Sequence, residues 1–160
     1  MESLLVVFSY HHKNTEKVAS VFAKVLGAEI KTPREVTPEE VKEKGLVGFG
    51  SGIYAGKHDV SLLELADRLP PVAGKKAFIF STCGVPIAVS GKEFLKEYTT
   101  KCHAELREKL QAKGYVIAGE FSCAGFNTNS FLKYFGGINK GRPDAGDLRE
   151  AEEFARGLVP

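Results

Sequence analysis

The sequence predicts a three-layer α/β protein: a five-stranded parallel sheet, doubly wound in the order 2-1-3-4-5, with helices on both faces. Three observations carry this prediction. Short apolar runs alternate with segments of helical periodicity along all 160 residues, the pattern of successive βαβ units. The runs at 4–8, 46–49 and 77–80 are apolar without polar alternation, as in strands buried on both faces. The glycine-rich and polar connections follow these strands, at the end of an α/β sheet where ligands bind.

Each element has its own signal. The first strand, 4–8 (LLVVF), stops at Ser9, and a helical stripe of Val18, Val21, Phe22, Val25 and Leu26 then runs to Gly27. The second strand, 29–32, is short and mixed in polarity, which suits a sheet edge. Thr37-Pro38-Glu39-Glu40 has the form of a capping box with proline at the first helical position, opening a short helix to Lys44-Gly45. The third strand, 46–49, is predicted to empty into a loop, Gly50-Ser51-Gly52-Ile53-Tyr54-Ala55-Gly56. Asp59 caps a helix carrying Leu62, Leu65, Ala66 and Leu69, which Pro70-Pro71 stops. The fourth strand, 77–80, opens into Ser81-Thr82-Cys83-Gly84-Val85-Pro86. Residues 92–113 read as helical, with a possible break at Thr99-Thr100, and 115–123 form the fifth strand. A long glycine- and aromatic-rich connection, 124–142, precedes a last helix capped by Asp144 and carrying Leu148, Ala151, Phe154, Ala155 and Leu158. The length is that of one domain, 1–160.

Composition narrows the function classes. The 22 basic and 20 acidic residues are dispersed, giving a net charge of +2 without a basic block, so nucleic-acid binding has no footprint. No apolar run reaches membrane-spanning length, and Met1-Glu2-Ser3 leads into a strand without the features of a signal peptide. Three cysteines, Cys83, Cys102 and Cys123, lack CxxC spacing. Together these features point to reduced thiols in a cytoplasmic protein.

The turn after the first strand joins the carboxyl end of a buried strand to the amino end of a helix. Free N–H groups and the positive end of the helix dipole suit that junction to phosphate, although Asn14 or Thr15 capping the helix is the simpler alternative. The turn and the loops at 50–56 and 81–86 would converge on one crevice at the switch point of the sheet.

Ser9-Tyr10-His11-His12-Lys13-Asn14-Thr15-Glu16-Lys17 resembles the phosphate loop of flavodoxins, roughly S-x-T-G-N-T-E-x, with Asn14-Thr15 matching outright. Gly50 to Gly56 resembles the family's second flavin loop, with Tyr54 at its large-side-chain position; 81–86 matches the third loop in place and in its small residues. The resemblance spans the whole chain as a pattern of elements. It implies a flavodoxin-like fold with bound FMN, its phosphate held by residues Ser9, Tyr10, His11, His12, Lys13, Asn14 and Thr15. The ring would lie between Ser51, Gly52, Ile53, Tyr54, Ala55 and Gly56 on one side and Thr82, Cys83 and Gly84 on the other. Tyr54 would stack on the ring, and the Ala55–Gly56 peptide would turn to meet the reduced flavin. Lys13 departs from the family pattern, standing where a glycine is usual. The turn there either holds lysine at positive φ or adopts another course with one more cation near the phosphate. Lys13, Lys57 and His58 also make this chain less acidic around the flavin than electron-carrier flavodoxins are, which would ease formation of an anionic reduced flavin.

The resemblance implies electron transfer between redox partner proteins. The alternatives are reduction of a small-molecule acceptor such as a quinone by an NAD(P)H-dependent enzyme, and a flavodoxin fold that binds without FMN. The remaining candidates have plainer readings. Adjacent histidines on a turn point apart, so His11-His12 is a weak metal pair. His58 and His103 are expected at a helix start and on a solvated helix face. Cys83 and Cys123 end adjacent strands, as either a redox pair or two buried thiols. Phe126, Phe131, Tyr134 and Phe135 form a core, a lid, a wall of a substrate pocket over the flavin or a partner-facing cluster, and Gly136-Gly137 and Gly141 would let a lid bend.

Overall fold

The computed structural model describes residues 1–10, 12–128, 132, 134 and 136–160. Among the described residues the elements are, in chain order, β1 (Ser3–Phe8), α1 (Asn14–Leu26), β2 (Glu29–Lys31), α2 (Pro38–Glu43), β3 (Leu46–Tyr54), β4 (Lys57–His58), α3 (Val60–Arg68), β5 (Lys76–Cys83), α4 (Ile87–Cys102), α5 (Ala104–Ala112), β6 (Val116–Ala124) and α6 (Ala145–Leu158). The sheet order is β2-β1-β3-β5-β6, all parallel, with β4 paired antiparallel to β3. The predicted order therefore holds, and the short hairpin strand β4 is the addition.

The strand alternation sorts the core into two layers. Leu5, Val7, Phe78, Phe80, Phe121 and Cys123 share one cluster with Val18 and Phe22 of α1 and Ala151 and Ala155 of α6. The Phe22 ring meets Phe78, Phe80 and Phe121 edge-on at 5.5, 4.9 and 5.6 Å. Leu4, Val6, Val47, Phe49, Ala77 and Ile79 pack with Leu62 and Leu65 of α3 and Leu106 and Leu110 of α5.

The helix starts follow the sequence, although Thr37 caps without the expected reciprocal box because the Glu40 carboxylate turns to Lys31. Thr37 Oγ1 accepts the Glu40 N–H at 3.2 Å, Asp59 accepts the Ser61 N–H at 2.9 Å, and Asp144 and Asp147 form a reciprocal capping box.

Two expectations are corrected. The third strand continues through the glycine-rich stretch to Tyr54. The glycines explain why: a Cβ on Gly48 would stand 2.3 Å from the Phe78 ring, and one on Gly50 would stand 2.2 Å from Phe80. They make room for large rings on the neighbouring strand. The helical region begins at Ile87, contains a kink at Gly91 (φ 81°) and divides at His103. Thr99 and Thr100 stay helical, with their hydroxyls donating back to the Leu95 and Lys96 carbonyls, each at 2.8 Å. Among the described residues, no helix is long and apolar enough to cross a membrane.

Candidate functional site

A crevice of about 70 Å³ opens at the carboxyl ends of β1, β3 and β5. Of the predicted site residues, Tyr10, Asn14, Gly52, Ile53, Tyr54, Thr82, Cys83 and Gly84 line it. Gly125, Phe126 and Asn127, from the connection after β6, complete it.

The turn after β1 takes a left-handed course, with φ of 44° at His12 and 52° at Lys13. Lys13 thus occupies the positive-φ position at which the flavodoxin pattern has glycine. It is the N-cap of α1 and gives the helix no side-chain hydrogen bond, so acceptors for the first-turn N–H groups must come from elsewhere. Ser9 Oγ serves the Glu16 N–H at 3.3 Å. Thr15 is buried, and its hydroxyl shares a 2.8 Å hydrogen bond with Thr82, tying the turn to the end of β5. Asn14 Nδ2 donates to the Phe126 carbonyl at 2.9 Å, while its buried Oδ1 has no partner among the described residues. His12 Nε2 meets Thr128 Oγ1 at 2.8 Å, and its ring lies 4.4 Å from that of Phe126. His11 lies outside the described residues.

The second predicted loop is a hairpin. Ala55 (φ 51°) and Gly56 (φ 77°) are both left-handed, as the two central residues of a type I′ turn must be. The Tyr54 hydroxyl lies over Gly52, where a Cβ would stand 2.7 Å from it, and the ring meets Phe8 edge-on at 6.3 Å. Burial raises the Tyr54 pKa, so its phenol stays protonated near neutrality. Ser51 is drawn away from the crevice: it is buried, and its hydroxyl accepts the Asp59 N–H at 3.0 Å and donates to the Gly52 carbonyl at 2.6 Å.

Behind the strand ends lies a polar layer that the sequence did not reveal. Ser51, Ser81 and Ser122 stand in one transverse row across β3, β5 and β6. Ser81 Oγ meets His103 Nε2 at 2.7 Å, and His103 Nδ1–H donates to Glu120 at 2.9 Å; Arg107 grips both Glu120 oxygens. Ser122 shares a 2.7 Å hydrogen bond with Thr99. His58 Nε2–H donates to the Phe80 carbonyl at 3.0 Å, with its ring 4.8 Å from that of His103. Both imidazoles are buried: this corrects the solvated face expected for His103, while His58 stands at the expected helix start, directly before the Asp59 cap, but inside the core. Burial, aided by His103, pushes the His58 pKa down to about 3, so His58 adds no positive charge beside a ligand at neutral pH. Lys57 is paired with Glu105 at 3.6 Å, which weakens the expected basic environment further. Burial alone would raise the Glu120 carboxyl, but the hydrogen bonds from His103 and Arg107 outweigh it and hold the pKa down to about 2.

Cys83 and Cys123 take the buried-thiol reading rather than that of a redox pair. Thr82 is in register with Cys123, and Cys83 with Ala124, so the two cysteines project to opposite faces of the sheet. Burial pushes Cys83 up to about 11 and Cys123 further still, leaving both as protonated thiols at neutral pH. Of the predicted aromatic cluster, Phe126 lines the crevice, Tyr134 is exposed, and Phe131 and Phe135 lie outside the described residues.

Sheet order and strand-end connections together define a flavodoxin-like fold. Structures with the same fold include oxidised flavodoxin 2 from Bacillus cereus (TM-score 0.70, 16% identity, covering 99% of this chain and 97% of that one). They also include a flavodoxin from the domain Archaea (TM-score 0.61, 16% identity, 99% and 96%) and the two-electron reduced flavodoxin of Megasphaera elsdenii (TM-score 0.55, 15% identity, 96% and 98%). By sequence, the chain belongs to one family with an uncharacterized protein of Methanocaldococcus jannaschii, 44% identical over 159 residues and covered to 99% in both chains. No family model matches the sequence.

Proposed function

We propose that the chain binds FMN in this crevice and passes electrons between redox partners. The observation that carries the reading is the junction of β1 and α1: a left-handed turn leads into a helix whose N-cap residue supplies no side-chain acceptor, beside a crevice at the switch point of the sheet. That is the arrangement a phosphate needs, with backbone N–H groups and the helix dipole presented together. Asn14, Thr15 and Ser9 would hold the phosphate end, and Tyr54 would offer the ring a rigid π-surface. Gly52 and Gly84 let the Tyr54 and Asn127 side chains pack closely against the strand ends, so these two side chains would present themselves to a planar group.

FMN, when bound, supplies the one- and two-electron chemistry; the protein sets its position and electrostatics. The crevice is far smaller than the roughly 300–1,000 Å³ of a site that encloses a whole small ligand. It would grip a ring by part of its surface and leave the rest within reach of a partner. None of the described residues lining the crevice is a carboxylate, histidine, lysine or arginine, and its thiol, Cys83, stays protonated. This favours a carrier over an enzyme that moves protons onto a small substrate.

The absorbance spectrum of the purified protein, recorded after addition of FMN and gel filtration, tests the reading. Flavin bands that travel with the protein are expected. A colourless protein that also fails to quench FMN fluorescence would leave a flavodoxin fold that works without the cofactor. Sustained turnover of NAD(P)H with a quinone by the flavin-loaded protein alone would replace the carrier by a reductase.

A further inference from the structure

The connection from β6 to α6 has the composition of a bending lid, but its described residues are held down at both ends. Gly125 N–H donates to the Cys83 carbonyl at 2.9 Å, and Asn127 and Ile138 exchange two backbone hydrogen bonds of 2.9 and 2.8 Å. Asn127 Nδ2 reaches the Gly84 carbonyl at 3.4 Å, and a Cβ on Gly84 would stand 2.4 Å from that nitrogen. A Cβ on Gly137 would stand 2.6 Å from the Phe126 ring. Gly136, Gly137 and Gly141 all have φ near 80°, so these glycines serve left-handed turns.

Asn139 ties this connection to the rest of the crevice. It sits at φ 56°, a conformation asparagine tolerates better than most residues. Its Nδ2 donates to the Val85 carbonyl at 2.7 Å and the Gly125 carbonyl at 3.2 Å, and its Oδ1 accepts the Ile87 N–H at 3.0 Å. Ile87 opens α4 after Pro86, which provides no side-chain cap, so Asn139 satisfies an N-terminal donor of that helix from a distant part of the chain. One side chain thus joins the loop after β5 to the start of the connection after β6, and both line the crevice.

We propose that Asn139 is a positioning residue for this site: it fixes Phe126 and Asn127 as a third wall against the flavin and so sets how tightly the flavin is held. The proposal rests on the FMN reading above and adds a wall that the two strand-end loops do not supply. Hydrogen bonds of Asn139 would act through the residues they hold, without touching the ligand themselves.

Asn139→Gly is the informative variant, because glycine keeps the positive φ and loses only the side chain. Asn139→Asp is its companion: it keeps an acceptor for the Ile87 N–H but sets a carboxylate against two carbonyls. Amide hydrogen exchange of the FMN-free proteins and FMN affinity by fluorescence quenching are the two readouts. In Asn139→Gly, exchange at Ile87 and Gly125 should rise about tenfold while the amides of β1 and β3 keep their protection, and the Kd for FMN should rise about tenfold. Asn139→Asp should retain protection at Ile87, lose it at Gly125, and also weaken FMN. Faster exchange at both amides with an FMN Kd within twofold of the parent would overturn the proposal, since the wall would then be irrelevant to the ligand. Unchanged exchange would overturn it at the lock itself. A parent protein that takes no FMN would remove the functional reading and the affinity half together, while the exchange readout still decides whether Asn139 holds the connection.

Discussion

Lys13 and His58 show how far single residues depart from their sequence appearance. Lys13 holds a left-handed conformation that costs a non-glycine residue on the order of 1 kcal/mol. Lys13→Gly should therefore raise stability by roughly 0.5–1 kcal/mol, net of the extra freedom glycine gains in the unfolded chain. Urea midpoints would show it; a loss of stability would mean that the lysine side chain contributes more than its backbone strain costs. His58 gives a pH dependence. Its folded pKa of about 3 lies below the ordinary histidine value of 6.5, so below pH 6.5 the unfolded chain takes up a proton that the fold refuses. Stability therefore falls as the pH drops from 6.5 towards 3, by about 2 kcal/mol on reaching pH 5. Glu120 acts in the same direction at lower pH, because its depressed pKa stabilises the fold above about 4.5 and that contribution is lost as pH falls towards 2. Replacing His58 by glutamine, which can still donate to the Phe80 carbonyl, should flatten the decline between pH 7 and pH 5. An unaltered slope would assign the decline to other groups.

Elements divided between those written locally in the sequence and those that needed a neighbour. Helix starts at Thr37, Asp59 and Asp144 were legible because a cap involves three or four consecutive residues. The length of β3 was not, because Gly48-x-Gly50-x-Gly52 carries loop composition. Its period of two was the available signal: the glycines share one face of a strand, and the rings over Gly48 and Gly50 belong to β5, while that over Gly52 is Tyr54 of β3 itself. The buried histidines were illegible for the same reason, since Ser81, Phe80 and Glu120 reach them from other strands. The glycine–phenylalanine complementarity is testable. Gly50→Ala should destabilise by about 1–3 kcal/mol, because its methyl would enter the Phe80 ring in a closed core. Adding Phe80→Leu should cost less in the Gly50→Ala background than in the parent, with a coupling of at least about 0.5 kcal/mol. Strict additivity in denaturant unfolding would show that the strand relieves the clash elsewhere.

At the scale of the whole molecule, the order of the sheet was readable because alternating strands and helices leave few arrangements, and that order alone placed three connections at one end. The fourth connection, after β6, joins them through Asn14–Phe126, Asn127–Gly84 and Asn139–Val85. These contacts involve separations of 112, 43 and 54 residues, beyond the reach of any local pattern. A ligand held by all four segments stabilises the fold by mass action, by about 2.7 kcal/mol at a free concentration one hundred times its Kd. FMN should therefore raise the unfolding midpoint in proportion to the logarithm of its concentration. Riboflavin has the same ring but no phosphate, so it separates the contribution of the turn at 9–15 from that of the ring-facing segments. If the uncapped start of α1 holds the phosphate, riboflavin at equal concentration should stabilise far less than FMN, and raising the salt should narrow the gap as the charge is screened. Equal stabilisation by both flavins would place the affinity in Tyr54, Phe126 and Asn127, leaving the left-handed turn at Lys13 as a purely structural junction.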